Sequence, residues 1–425
     1  MKPTKLVELI NYVWQNSNFY RELWKRNEFF PEKDFQNDND LKKIPILTKE
    51  DLLSISVQDR TIFTSNNYYY FADISSGTGG RPLITIKSHH FIPPYYNFIQ
   101  KLTNKSPKSC LMLRPASNAA ASIGAGLQGQ FFPPGSIISL GDINDFILSA
   151  NIAREMEVDW LGIRPSTAVS FAKTLEQQGY SPSHIMFLYL TGEPLTSAAI
   201  SLLKHVYPRA LILYIYAMTE GPSSMGMRSS LCATLEAISP NAYHLNTQDF
   251  IFETVNGLSI VTALHQLPAP LIRYNTGDRM IIKNGFKCSC GFSDGTIGVI
   301  GPRDSEKSYK IGNFVFREEA IKRALGKLTG FFTEDFELQI EQITENNLLL
   351  LFLCLTIRPI NEPTPFITST IKEILEREVR ISPTESLGDA IRRKRIKPIE
   401  IKYDVSLKGS RILPPAEIIK PFQNI

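Results

Sequence analysis

The chain has 425 residues, 43% of them hydrophobic and 21% charged, with a formal net charge of +4. That is enough apolar material for a large core in two or more domains, and enough charge for solubility. The 46 basic and 42 acidic residues are scattered, which argues against a nucleic-acid footprint or a membrane-surface patch, and five cysteines at this length do not make a disulfide framework.

Met1 to Asn16 reads as an amphipathic helix with no uninterrupted apolar stretch of the kind a targeting signal needs. The longest apolar run, Leu348 to Ile357, falls far short of the roughly 20 residues that cross a bilayer. It reads as a buried strand, and cytoplasmic residence is the expectation.

The aromatic, strand-like run Tyr68 to Phe71 leads into Ile74-Ser75-Ser76-Gly77-Thr78-Gly79-Gly80-Arg81-Pro82. Glycines free the backbone N–H groups to converge on an anion, hydroxyls add donors, and Arg81 offers a bidentate fork. Such a loop suits a phosphate, although alone it would be an ordinary polar surface loop. It is not a GxxxxGK[ST] loop, because no Lys-Ser or Lys-Thr follows the last glycine.

Apolar runs at Cys110 to Leu113, Asp159 to Ile163, Ile185 to Leu190 and Ala210 to Tyr216 alternate with helical stretches such as Thr167 to Gln178. The alternation predicts α/β architecture with parallel sheet. Thr191-Gly192-Glu193-Pro194-Leu195 follows one such strand and Ala217-Met218-Thr219-Glu220 another, so both segments fall at strand carboxyl ends, where ligands bind in open α/β sheets. Leu258 to Ala263 and Met280 to Ile282 read as strands of a smaller, more antiparallel section. Around them lie Leu271-Ile272-Arg273-Tyr274-Asn275-Thr276-Gly277-Asp278 and Gly301-Pro302-Arg303-Asp304. From Asp304 the pattern is α+β: helix Glu318 to Lys327, strand Leu348 to Ile357, helix Phe366 to Val379, strand Pro398 to Tyr403.

Two thiols, Cys288 and Cys290, flank a single serine, and Cys232 and His244 precede them. Three thiolates and one imidazole make a Cys₃His set of the kind that holds structural zinc. The alternative is a group of inert thiols. Cys110 and Cys354 sit in apolar company and read as core. Arg392-Arg393-Lys394-Arg395 reads as a solvated face.

In their order, the Ser75–Pro82, Thr191–Leu195, Tyr216–Glu220, Leu271–Asp278 and Gly301–Arg303 segments resemble the acyl-adenylate-forming superfamily. The superfamily loop is commonly written SSGTTGKP, and Gly79, Arg81 and Ala217 depart from its patterns. The phenylacetate–coenzyme A ligase branch fits best. Its N-S-x-F-Y-R and L-P-x-x-T-K-E-D-L openings are echoed by Asn16-Ser17-Asn18-Phe19-Tyr20-Arg21 and Ile44-Pro45-Ile46-Leu47-Thr48-Lys49-Glu50-Asp51-Leu52.

The resemblance implies an adenylation domain over residues 1–303 that binds ATP and an acid, and a small mobile α+β domain over 304–425. It places ATP on Ser75, Ser76, Gly77, Thr78, Gly80, Arg81, Gly192, Glu193, Pro194, Tyr216, Thr219, Asp278 and Arg303. The Asp278 carboxylate would accept from the ribose hydroxyls, Glu220 would hold Mg²⁺, and Thr78 and Glu220 join a C-terminal lysine as catalytic residues. Spacing from Pro415 nominates Lys420, with Lys408 as the competing candidate. Ala121, Gly124, Gly126, Tyr216 and Ala217 would line a pocket for an aryl or arylacetic acid.

The implied activity is AMP-forming acid ligation with MgATP, followed by transfer to coenzyme A. Transfer to an amine or a carrier-protein thiol is the alternative acceptor step, and a non-catalytic nucleotide-binding relative the alternative class. Superfamily analogy also implies a homodimer.

Overall fold

The structure, a computed structural model, describes residues 4–63, 70–75, 82–88, 107–114, 135–221, 224–265, 268–291, 295–303, 307–312, 314–328, 330–382 and 384–422. Within them no helix is long and apolar enough to cross a membrane. The expected N-terminal helix runs Lys5–Asn16, capped by the Thr4 hydroxyl, and buries Leu6, Leu9, Ile10 and Val13. That is one apolar stripe at helical spacing.

After helix Asn18–Arg26 and shorter helical turns as far as Leu53, β1 (Tyr70–Ile74) pairs antiparallel with β2 (Ile84–Ser88) in a hairpin. Its stem encloses a buried Lys87–Asp73 ion pair at 2.8 Å. The parallel strands follow as β3 (Ser109–Arg114), β4 (Ile137–Asp142), β5 (Trp160–Ile163), β6 (Phe187–Thr191) and β7 (Leu211–Ala217). β5 is buried throughout and β6 at all but its last residue, the mark of strands covered on both faces. Helices Phe146–Glu155, Pro165–Gln177 and Ser197–Val206 connect β4, β5, β6 and β7 in turn. The second helix begins two residues before the sequence reading, since Pro165 takes the first helical position, where its missing N–H costs nothing.

β8 (Ser224–Ser229), β9 (Ala242–Leu245), β10 (Phe250–Val255), β11 (Leu258–Ala263), β12 (Tyr274–Lys283) and β13 (Ile297–Arg303) pair antiparallel. They continue the parallel strands in one 11-stranded sheet ordered β10-β11-β12-β13-β9-β8-β7-β6-β5-β3-β4. The antiparallel section is therefore an extension of the parallel sheet. Leu271, Ile272 and Tyr274 join the N-terminal helices, Leu47 and the parallel strands in one core.

Beyond residue 303 lie the hairpin β14 (Ser308–Ile311) and β15 (Phe314–Arg317), then β16 (Phe332–Glu345) and β17 (Leu348–Pro359). A short ribbon, β18 (Arg380–Ser382) with β19 (Glu385–Ser386), precedes β20 (Glu400–Tyr403) and β21 (Arg411–Leu413). The four-stranded sheet is ordered β20-β17-β16-β21. Helices Glu318–Leu325, Pro365–Glu378 and Leu387–Arg392 pack with it around a core of their own, from Ile311 to Ile399. β16 was not anticipated: its acidic residues interrupt the apolar run, yet Phe336, Leu338 and Ile340 alternate inward.

The two halves meet at helix N-termini. The Thr196 hydroxyl, which caps Ser197–Val206, donates to Gln342 Oε1 at 2.6 Å. Gly312, at the tip of the β14–β15 hairpin, stands where a Cβ would come within 3.4 Å of Ser166 in the first turn of Pro165–Gln177.

Candidate functional site

The hairpin β1–β2 brackets the glycine-rich loop. Ser75 closes its base twice: its N–H donates to Leu83 O at 2.9 Å, and its hydroxyl accepts from Leu83 N at 2.7 Å. Ser76, Gly77, Thr78, Gly80 and Arg81 lie outside the described residues, as do the pocket candidates Ala121, Gly124 and Gly126. Arg60 ties the stem to the body, donating to Leu52 O at 2.8 Å and to Ile84 O.

At the carboxyl end of β6, Gly192 adopts φ +87°, so a side chain there would be strained. A Cβ at this position would face Arg164, 3.7 Å from its Nε. Glu193 reaches sideways: its carboxylate accepts from the Ser166 N–H at 3.2 Å and hydroxyl at 3.0 Å. Helix Pro165–Gln177 has no side-chain cap of its own, and this carboxylate takes that place. Pro165-Ser166 resembles the T-P-S turn of the phenylacetate–coenzyme A ligase branch in sequence, whereas Arg164, at the end of β5, carries no motif of its own.

β7 ends one strand over. Tyr216 is buried, and its hydroxyl donates to Asp278 Oδ2 at 2.8 Å, while Arg303 Nε donates to Asp278 Oδ1 at 2.9 Å. Burial, then the Asp278 charge, pushes the Tyr216 phenol far above its ordinary value, so it stays a donor. Both oxygens of Asp278 thus have protein partners, and a carboxylate retains further lone-pair sites. Arg303, read from sequence as a ribose or phosphate contact, is paired with Asp278 across β12 and β13.

Glu220 is buried in the bend after β7, and its Oε1 accepts from the Tyr274 hydroxyl at 3.4 Å. Burial and the Glu220 charge raise the Tyr274 phenol. Thr219 and Ala217 beside it are half-buried.

Asn275 to Asp278 lie on β12 itself, so the motif is a bulged strand rather than a free turn. Gly277 supplies φ +78° at the irregularity, Asn275 Oδ1 accepts from Gly277 N at 2.9 Å, and Thr276 Oγ1 accepts from Asp278 N at 3.1 Å. Arg273 points away from this edge. It pairs with Glu253 at 3.0 Å and donates to Lys42 O at 2.9 Å and Ile44 O, pinning the N-terminal segment to the sheet.

Cys232, His244, Cys288 and Cys290 converge, with all four ligand atoms within 4.8 Å of one another. His244 Nε2 lies 3.8 Å from Cys232 Sγ and 3.4 Å from Cys290 Sγ. Tetrahedral zinc with thiolate and imidazole ligands separates them by about 3.5–3.8 Å, so the donor set fits. Burial raises the Cys232 thiol. At Cys288 burial acts the same way, but hydrogen bonds from the Cys290 backbone, the Thr234 hydroxyl and the neighbouring thiols bring it below its ordinary value.

The lysine candidates differ in surroundings. Lys408 is exposed and precedes Gly409 and Ser410, which bond to Asp335 and Glu334 within the C-terminal half. Lys420 is exposed too, but its segment packs on β13.

The fold superposes on a 2-hydroxyisobutyryl-CoA ligase in complex with 2-HIB-AMP and CoA in the thioesterification state, at TM-score 0.63 and 17% identity, over 99% of this chain and 90% of that one. An open conformation of the same ligase gives 0.59 at 16% identity, over 96% and 90%. The fold is that of this acyl-CoA ligase. In its postadenylation state, in complex with R3-HIB-AMP, the ligase gives 0.58 at 17% identity, over 99% and 90%. No protein-family description and no curated protein matches the sequence.

Proposed function

We propose that the protein is an AMP-forming acid ligase that adenylates a carboxylic acid with MgATP, and that the acyl group then passes to coenzyme A. The observation that carries this reading is the Tyr216–Asp278–Arg303 cluster at the carboxyl edge of the sheet, one strand from Glu193 and a bend from Glu220. The fold shared with a ligase that holds an acyl-AMP and CoA supports it.

On this reading Asp278, fixed by Tyr216 and Arg303, receives the ribose hydroxyls. The loop above Ser75 grips the phosphates, with Thr78 and Arg81 as its donors. Glu220 would hold Mg²⁺, a hard cation suited to carboxylate oxygen, which supplies charge neutralisation to the phosphates. An acid oxygen attacks the α-phosphorus, the bond to pyrophosphate breaks, and an acyl-AMP forms. The thiol then attacks the acyl carbon and AMP leaves. Such chemistry needs positioning and charge stabilisation more than covalent help, and Lys420 is the side chain proposed to supply charge at the α-phosphate. Residues 1–303 would form the adenylating domain and 304–425 the smaller one. An aryl or arylacetic acid is the proposed substrate class, and zinc at the Cys232 cluster is proposed as structural.

The decisive test of the acceptor step is to incubate the protein with MgATP and a panel of aryl and aliphatic acids, with either hydroxylamine or coenzyme A added. Acyl hydroxamate and acyl-CoA are both expected. Hydroxamate without thioester assigns the acceptor to an amine or a carrier thiol, and neither product, with ATP bound, points to a nucleotide-binding protein without catalysis.

A further inference from the structure

The segment Ala416–Phe422 is fastened to the N-terminal part of the chain through Glu417 and Phe422. In the short helix Ala416–Ile419, Glu417 accepts from the Ser197 N–H at 2.9 Å and from its hydroxyl, at a helix N-terminus that favours a carboxylate. Further on, the Phe422 ring is buried against β13. A Cβ on Gly301 would stand 2.5–2.9 Å from three ring carbons, and Gly301 is not among the positive-φ glycines. The ring, not the backbone conformation, keeps that position bare.

The pocket that takes Phe422 is the metal-ligating cluster's own core. Phe422 packs in one apolar group with Cys232, Leu235, Ala242, Ile297 and Val299, and Cys288 and Cys290 border it. Residues 284–291, which carry two of the thiols, form bends and turns without helix or strand. A metal would therefore supply the bonds that fix this wall, and the ring packs where the wall closes.

We propose that metal binding by Cys232, His244, Cys288 and Cys290 and docking of Phe422 are coupled, each strengthening the other, so that the cluster fixes onto the N-terminal half the segment that carries Lys420. Coupling between sites is reciprocal. Whatever factor the metal adds to ring docking, the ring adds to metal affinity. The inference stands on the cluster and the ring, independently of the proposed ligase activity.

The test is zinc affinity of the full chain, by competition with a chromophoric chelator, for wild type, Phe422→Ala and Gly301→Ala. Neither substitution touches a ligand, and the second evicts the ring while keeping it in the chain. Both are expected to weaken zinc binding by at least about fivefold, the lower end of ordinary coupling, and the double variant no more than either alone. Hydrogen–deuterium exchange over residues 411–422 should quicken when zinc is removed from wild type, and should be fast and zinc-independent in both variants.

Unchanged zinc affinity in a folded variant, a tail indifferent to zinc, or a chain that binds no zinc overturns the proposal. If Phe422→Ala does not fold, Gly301→Ala and the wild-type exchange experiment decide. Loss of ligase activity with the coupling intact would instead overturn the proposed activity alone.

Discussion

Arg303 donates through Nε to Asp278 at 2.9 Å, joining adjacent strands β12 and β13 at the carboxylate proposed for the ribose. With Tyr216 on the other oxygen, Asp278 is aimed before any nucleotide arrives, so little ordering is left for binding to supply. Removing its charge removes charge-assisted hydrogen bonds, each about 1.5–3 kcal/mol. Asp278→Asn is expected to weaken MgATP binding by about 10- to 100-fold and to lower the unfolding temperature modestly, because Tyr216 and Arg303 lose an ionised acceptor. Calorimetric titration with ATP checks this. Unchanged affinity would move the ribose elsewhere.

Arg273 belongs to the same motif but serves the fold. Its guanidinium is buried against Glu253 and the Lys42 and Ile44 carbonyls, and breaking a buried pair by deleting one partner costs about 3–5 kcal/mol. Arg273→Ala should lower the thermal midpoint sharply, with folded variant retaining the wild-type ATP affinity. A weaker affinity at undiminished stability would reverse the assignment.

Lys420 and Lys408 separate on rate. Loss of one transition-state donor costs on the order of 10²- to 10³-fold, so Lys420→Ala should slow acid-dependent pyrophosphate exchange by that order, whereas Lys408→Ala should stay near wild type. The opposite pattern would place the reacting charge on the segment bonded to Asp335 and Glu334.

Metal content follows from the donor set. The purified chain is expected to carry one zinc per molecule by plasma emission spectrometry, and Cys290→Ser to lose most of it together with thermal stability, because structural zinc binding contributes directly to folding. A metal-free, equally stable wild type would leave the four residues as packed thiols and an imidazole.

Local patterns in the sequence located the strands that build the site's edge. The uninterrupted apolar runs became β5, β6 and β7, and the turns after β6 and β7 fell at carboxyl ends because each run stops at a hydroxyl or a small residue. The Cys and His residues were legible as a set although Cys232 and His244 stand 12 positions apart. β8 and β9 run antiparallel with Met227 opposite His244, which returns the imidazole to the start of the helix Ala233–Ile238. What local reading could not supply were roles fixed by distant partners. Arg273 reaches carbonyls 231 and 229 positions away, Glu193 caps a helix 27 positions earlier, and Phe422 fills the space that Gly301 leaves. Each is a property of the packed sheet, and none leaves a periodic trace.

The central claim is that this edge of the sheet joins a carboxylic acid to the α-phosphate of ATP. Acid-dependent exchange of labelled pyrophosphate into ATP measures that step without regard to the acceptor. The account predicts exchange that requires magnesium and a carboxylic acid, and that falls steeply in Lys420→Ala. Bound MgATP with no exchange above background for any acid in a broad aryl and aliphatic panel would contradict it.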